Sequence, residues 1–219
     1  MTSSSTPLPE ILLVGCGGIG SALIEKLFSV LNQIEIKAEI HLMDSDVVEG
    51  RNLGHQRFVY NEVGQHKVEA LADRLNRDSN TSTLVPHVLD LRKAEQLQGY
   101  DAIIIAVDRP GPRSLVQSSG VPWLDLRATD GGFMALTHET PESLVQLMTG
   151  EHEPKGCLSE GAVESRNIEY GFDMAAGFGA QWAFQCLRHL RGMQGILPRE
   201  TIYYFVGGTR RFPSMVVSA

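Results

Sequence analysis

The chain has 219 residues, 42% of them hydrophobic, and a formal net charge of -7 at pH 7. That length fits one large domain able to bury most of its unfolded surface without staples, and the acidic balance argues against a nucleic-acid or anionic-membrane partner bound through a broad basic surface. Three widely spaced cysteines, Cys16, Cys157 and Cys186, argue against a disulfide framework, lack the C-x-x-C pair of a four-cysteine zinc site, and fit a reducing cytoplasm.

Met1 to Pro9 is rich in Ser, Thr and Pro, with neither a positive start nor an apolar centre. It reads as a flexible tail ahead of a single domain over 10–219, and not as a signal peptide. No apolar run reaches membrane-spanning length, so a soluble cytoplasmic protein is expected. The next stretch, ILLVGCGGIG at 11–20, is a short strand that breaks into glycines and resumes as an amphipathic helix over Ser21 to Leu31. Glu39 to Met43 is a second strand, ending in the carboxylates Asp44 and Asp46. Val47 to Gly64 is irregular and dense in polar side chains, among them Glu49, Arg51, Asn52, His55, Gln56 and Arg57. A loop that long in a compact domain usually has a job. Val68, Leu71, Ala72 and Leu75 mark a further helix, Leu84 to Leu89 a third strand, and Asp101 to Val107 a fourth, apolar enough to be a central parallel strand covered on both faces.

Beyond it, Pro110 and Pro112 stop the strand, Arg113 to Ser119 is a short helix, and Val121 to Leu126 returns to strand. Phe133 to Thr137 and Ser143 to Met148 are read as further strands that turn the sheet mixed or antiparallel. Residues 149–166 have loop composition, and a long helix rich in small residues runs from about Tyr170 to Leu190. Ile202 to Val206 and Met215 to Val217 close the chain as strands, with 207–211 separating them. Four strands alternating with helices define an α/β fold.

The G-x-G-x-x-G spacing of Gly15, Gly17 and Gly20, with Gly18 and Ile19 inside it, places a phosphate on main-chain N–H groups at a helix start. A dinucleotide enzyme would use Asp44 for a ribose hydroxyl. A site that cleaves ATP must instead neutralise a triphosphate and hold Mg²⁺, for which Asn52, Gln56 and Lys67 are suited. Each residue also has a plain structural reading: glycines for helix packing, Lys67 as a solvated helix-start lysine, Asp108 as a cap of the helix after the fourth strand. Apart from His55, the histidines His41, His66, His87, His138, His152 and His189 show no ligand spacing with the cysteines. Trp123, Trp182, Phe178 and Phe184 read as core and subunit-seam residues.

The stretches GCGGIGS (15–21), DSDVVEGRNLGHQ (44–56), VGQHKVEAL (63–71), IIIAVD (103–108) with Arg113, VPWLD (121–125) and AAGFGAQWA (175–183) together resemble the ThiF/MoeB-like adenylyltransferases, the family that includes the ubiquitin-activating enzymes. The resemblance implies a Rossmann-like, three-layer fold with a largely parallel central sheet that turns mixed in its C-terminal half, usually homodimeric. It implies adenylation of a carboxylate at the expense of Mg·ATP, the carboxylate being the C-terminal glycine of a ubiquitin-like or sulfur-carrier protein or a small carboxylic acid. Carried over by position, Gly15, Gly17, Gly18, Ile19 and Gly20 cradle the nucleotide and Asp44 holds the ribose. Asn52 and Gln56 stand near the phosphates, Asp46 and His55 are further nucleotide-binding positions, Lys67 binds the triphosphate, and Asp108 carries the magnesium; Asp108, Lys67 and Asn52 form the catalytic set. Asp125, Arg127 and the 149–166 loop are substrate contacts by position only.

The sequence departs from that pattern at His55, where an arginine is usual and where histidine supplies less charge near pH 7. Arg51 and Arg57 flank the gap. No arginine-bearing segment precedes the first strand, Cys157 has no zinc partners, and the position matching the acceptor cysteine lies close to Asn167. An NAD-dependent oxidoreductase, and a nucleotide-binding but catalytically degenerate partner subunit, are the rival readings.

Overall fold

The computed structural model describes residues 7–77, 79, 81–129, 132–149, 168–193, 201–205 and 208–212. Strand β1 (Glu10–Val14) leads into α1 (Gly18–Ile34), then β2 (Glu39–Met43), α2 (Lys67–Asn76), β3 (Thr83–His87) and β4 (Ala102–Ile105). The second half adds α3 (Pro110–Gln117), β5 (Trp123–Thr129), β6 (Gly132–Thr137), α4 (Glu142–Thr149), α5 (Ile168–Leu190), β7 (Thr201–Phe205) and β8 (Gly208–Phe212). The strands form one sheet in the order β3-β2-β1-β4-β5-β6-β7-β8. β3, β2, β1, β4 and β5 run parallel, and β6, β7 and β8 continue antiparallel. The expected α/β architecture with a sheet turning mixed in its second half is therefore the one observed.

Side chains alternate across this sheet as its period of two requires. Ile11 and Leu13 of β1, Ala102 and Ile104 of β4, and Leu124, Leu126 and Ala128 of β5 face the core built with α1, α2 and α5. Leu12, Val14, Ile103, Ile105 and Trp123 face the second core with Val116 of α3 and Val145 of α4. Three layers result. All four residues of β4 are buried, as its unbroken apolar sequence demands of a strand covered on both faces. Trp182 is fully enclosed, and Cys16 and Cys186 are buried free thiols that pack as small apolar groups. Burial drives the Cys16 thiol, and likewise the Cys186 thiol, above its ordinary range.

Two expectations are corrected. Ser143 to Met148 is not a strand but lies in α4. Its apolar residues Leu144, Val145 and Met148 follow helical spacing, Leu144 and Val145 donate to the Pro141 carbonyl, and Gln146 reaches back to Glu142 at 2.9 Å. A four-residue period within so short a run is easily mistaken for alternation. At the chain's end, Gly208–Phe212 is itself strand β8, with Phe205 opposite Gly208 and Thr201 opposite Phe212, so 209–211 pair and do not separate. Two glycines and two arginines have loop composition, yet backbone pairing with β7 decides the outcome. Met215 to Val217, Met1 to Thr6 of the expected tail, and the 150–167 stretch with Cys157 and Asn167 lie outside the described residues.

Candidate functional site

In the order β3-β2-β1-β4-β5 the direction of winding reverses between β1 and β4, and open α/β sheets bind ligands beyond the strand ends at that point. A cleft of about 830 Å³ lies there. Gly15 leaves β1 at φ +94°, where an L side chain is strained, and its N–H donates to Met43 O at 2.9 Å. A Cβ on Gly15 would stand 2.6 Å from the Ala106 carbonyl, one on Gly20 would overlap the Gly15 carbonyl, and one on Gly18 would overlap the Phe172 ring. Three of the four glycines are thus required by packing, while Gly17 faces open space. Helix α1 starts without a side-chain cap, so its first N–H groups are available to an anion in the cleft that Gly15, Gly17, Gly18 and Ile19 line. Gly20 is not in that lining.

Asp44, one residue past β2, accepts the Cys16 N–H on Oδ2 at 2.7 Å and the Asp46 N–H on Oδ1 at 2.8 Å, which ties the second strand end to the glycine turn. Lys67 opens α2. Its N–H donates to Asp46 O and its ammonium to Asp46 Oδ2, both at 2.9 Å. The Lys67 side chain is 7% exposed and that of Asp46 64%, so the ammonium is held inside the wall by a carboxylate that itself stands in solvent. The solvated helix-start reading of Lys67 therefore does not hold.

The polar loop between Val47 and Gly64 is strongly anchored. Asn52 is buried and accepts the Glu49 N–H at 2.8 Å. Arg57 N–H donates to Ser21 Oγ, which in turn donates to Gly17 O, so the loop is fastened to the glycine turn. Buried Glu62 accepts from Val59 N–H and from Arg74, which also pairs with Glu25 and the Arg57 carbonyl. Asn52, His55 and Gln56 consequently line the cleft, with buried Gln56 Oε1 lacking a partner among the described residues. The two flanking arginines part company: Arg51 lines the cleft beside Glu49, whereas Arg57 turns to Asp173 of α5 at 2.8 Å and leaves it. Desolvation holds His55 below the ordinary imidazole value, with Glu169 of α5 pulling it up and Lys67 pushing it down.

Asp108 stands exposed at the end of β4, lines the cleft, and has no hydrogen-bond partner among the described residues. The cap position of α3 belongs to Arg109, so Asp108 does not cap that helix. Asp90 and Phe172 are cleft residues missed from sequence. Asp90, past the end of β3, accepts Ser45 Oγ at 2.7 Å, Arg92 at 2.9 Å and Arg109 at 3.2 Å, and joins the ends of three strands. The Ser45 and Arg92 bonds lower its carboxyl to about 2. Its signal was the one that marks Asp44 and Asp108, a carboxylate just past a parallel strand. Phe172, against Gly18, had none, because α5 reaches the glycine turn only through tertiary packing. Asp125 and Arg127 do not line the cleft; they are buried together on the opposite face of the sheet from α5, with Arg113 and Gln117 on the same carboxylate.

Strand order, glycine turn and strand-end carboxylates define the class as a Rossmann-like α/β domain with its site at the switch point. Residues 9–211 match the ThiF family, and the chain belongs to that family. It is 32% identical over 117 residues to the adenylyltransferase and sulfurtransferase MOCS3 of Danio rerio, across 51% of this chain and 24% of that protein. It is 33% identical over 107 residues to the ATP-dependent ubiquitin transferase-like protein Cap2 of Escherichia coli (strain TW11681), across 46% and 17%. To the NEDD8-activating enzyme E1 catalytic subunit of Saccharomyces cerevisiae it is 26% identical over 113 residues, across 50% and 36%. Each match spans well under half of the relative's own length. Among solved structures, E. coli MccB with AMPCPP and MccA has a TM-score of 0.68 at 16% identity, covering 96% of this chain and 66% of that one; MccB with ATP gives 0.66 at 17%. At such identities the likeness is one of fold. Among the described residues no helix is long and apolar enough to cross a membrane, and no three His, Cys, Asp or Glu side chains are grouped to hold a metal ion.

Proposed function

We infer that the chain binds ATP in this cleft and transfers its adenylyl group to a carboxylate, releasing pyrophosphate. The observation that carries the reading is the buried ammonium of Lys67 on the same cleft wall as Asn52 and Gln56, next to an uncapped helix start. A buried cation with two amides is what a polyphosphate needs and a dinucleotide's pyrophosphate does not. Asp44 would hold the ribose and the N–H groups of Gly17 to Ile19 the phosphates. A carboxylate oxygen attacks the α-phosphorus while the bond to the pyrophosphate oxygen breaks. The protein supplies no nucleophile; Lys67 and the amides stabilise charge on the phosphate oxygens.

The described lining residues include five carboxylates, Asp44, Asp46, Glu49, Asp90 and Asp108, against three cations. Such a cleft repels a bare triphosphate, and the unpartnered Asp108 offers the oxygen donor that magnesium prefers. Bound with the nucleotide there, Mg²⁺ would neutralise phosphate charge. The relatives' names support a ubiquitin-like or sulfur-carrier C-terminus as the acceptor, and a small carboxylic acid fits the same chemistry. A homodimer with Phe178 and Phe184 of α5 at its seam, and a cytoplasmic location, belong to the same reading; a strictly monomeric mass by light scattering at micromolar concentration counts against the dimer.

The direct test is pyrophosphate exchange into ATP with candidate carboxylates, alongside titration with NADH. Exchange that disappears in Lys67→Ala and Asp108→Ala is expected. Robust exchange in both variants overturns the residue roles, tight NADH binding with no ATP binding overturns the reaction class, and ATP binding with no exchange points to the degenerate partner subunit.

A further inference from the structure

Each of the three cations lining the cleft is already committed to a carboxylate: Lys67 to Asp46, Arg51 to Glu49 and Arg109 to Asp90. A polyphosphate entering this cleft therefore meets no uncommitted cation among the described residues. One lining side chain can still acquire charge near neutral pH, the imidazole of His55. Its position is fixed on both sides, by Gln56 N–H on Asn52 O at 3.0 Å and by Arg57, whose N–H is on Ser21 Oγ and whose guanidinium is on Asp173.

We propose that His55 is the cation this cleft adds for its ligand, charged when a polyphosphate is bound and neutral when the cleft is empty, so that a nucleoside triphosphate enters together with a proton. The proposal rests on the nucleotide-binding reading and concerns the regulation of that site. Lys67 of α2 and Glu169 of α5 act electrostatically on His55, and the first turn of α1, joined to the same loop through Ser21, carries no charged side chain. Burial and Lys67 disfavour the imidazolium in the empty cleft and outweigh Glu169. A polyphosphate reverses the balance by adding negative charge beside the ring. The proton comes from the buffer and forms an N–H bond on a ring nitrogen, and no bond between heavy atoms is made or broken. Since binding takes up a proton, affinity rises as pH falls through the range between the empty and occupied states.

The test is calorimetric titration with Mg·AMPCPP, whose methylene bridge blocks adenylyl transfer, at pH 8, 7 and 6 and in two buffers of different ionisation heat. The nucleotide's own phosphate titrates in this range, so the quantity read is wild type minus His55→Ala. The expected result is net proton uptake at pH 7 in wild type beyond that of His55→Ala, and a tightening from pH 8 to 6 of several-fold, up to the roughly tenfold limit that one unit of pKa displacement sets. His55→Arg should bind tightly at every pH with no uptake beyond the alanine variant. His55→Asn, which keeps a polar side chain, replaces the alanine reference should that variant lose its near-ultraviolet circular dichroism. Equal uptake in wild type and the neutral variants overturns the proposal while leaving nucleotide binding standing. No heat from any variant at any pH overturns the functional reading and the proposal with it.

Discussion

The cleft at the ends of β1, β2 and β4 and the buried cluster on β5 are both built of ion pairs, and they are built oppositely. In the cluster, Asp125 is wholly buried, and the guanidiniums of Arg113 and Arg127 that meet it are 5% and 8% exposed. In the cleft every pair has one partner in water: Asp46 for Lys67, Arg109 for Asp90, both members of the Glu49–Arg51 pair. A charge whose partner can be taken over by water is exchangeable, since a ligand can replace that partner without stranding an ion in low dielectric. A pair enclosed on all sides is not, because separating it leaves a buried charge uncompensated. The two regions thus assign themselves, the cluster to holding β5 against α3 and α4, the cleft to a ligand. Asp125 and Arg127, adjacent to the cleft in sequence order, belong to the first kind.

Breaking the cluster should give the largest effect. Asp125→Ala leaves two buried guanidiniums without their shared carboxylate and is expected to destabilise the fold by about 3–5 kcal/mol, the usual cost of removing one partner of a buried pair. Urea unfolding followed by tryptophan fluorescence measures it. A loss under about 1 kcal/mol would mean the cluster is solvated and the contrast with the cleft is false.

The cleft should respond in the opposite sense. Lys67→Met keeps the apolar stem and removes the ammonium, so stability should move by less than about 1 kcal/mol, as for pairs with one partner in solvent. Binding of Mg·AMPCPP should weaken by about 10–100-fold, the worth of one charge-assisted hydrogen bond. Unchanged affinity in a folded variant would remove Lys67 from the site.

Only the cleft side of this contrast was legible in the sequence. Asp44, Asp108 and the glycine turn were readable because parallel strands end where ligands bind, and a strand's end is marked by the loss of its apolar run. Asn52, Gln56 and Lys67 were readable from what a triphosphate needs, and the family resemblance, rather than position alone, brought a loop residue and a helix start to one wall. Other features depend on tertiary contacts that leave no local trace: that Arg57 turns away to Asp173, that Phe172 closes on Gly18, and that Asp125 is enclosed. The strand assigned to Ser143 to Met148 failed for a related reason, since six residues cannot distinguish a period of two from one of 3.6 until Pro141 and the second core are in place.

A pH titration sharpens the comparison at the Asp90 bridge. Its carboxyl lies near 2, held there by Ser45 and Arg92, below the unfolded value of about 3.9. The group therefore stabilises the fold above about pH 4 and loses that contribution as pH falls toward 2. The difference in stability between wild type and Asp90→Asn should be present at pH 6 and be mostly lost by pH 2. It should stay near or below 1 kcal/mol, because Arg92 and Arg109 are both largely exposed. A difference that grows on acidification would have the wrong sign for a depressed carboxylate.

The smallest effect is expected at Arg51, and it is the most discriminating because Arg51 carries the same charge as Lys67 in the same cleft. Its side chain is 81% exposed and its partner Glu49 is 45% exposed. Water already compensates both, so Arg51→Ala should change stability by less than about 0.5 kcal/mol. A flexible, solvated guanidinium must also be ordered to bind a phosphate, whereas the Lys67 ammonium is already fixed by the wall around it, so the arginine gains less per contact. Affinity for Mg·AMPCPP is accordingly expected to fall less than about threefold, and less still at 0.5 M salt, where exposed charges are screened within a few ångströms. Were Arg51→Ala to weaken binding as much as Lys67→Met, burial would not be what separates ligand-holding cations from surface ones in this cleft, and Arg51 rather than His55 would stand in for the arginine the family usually carries.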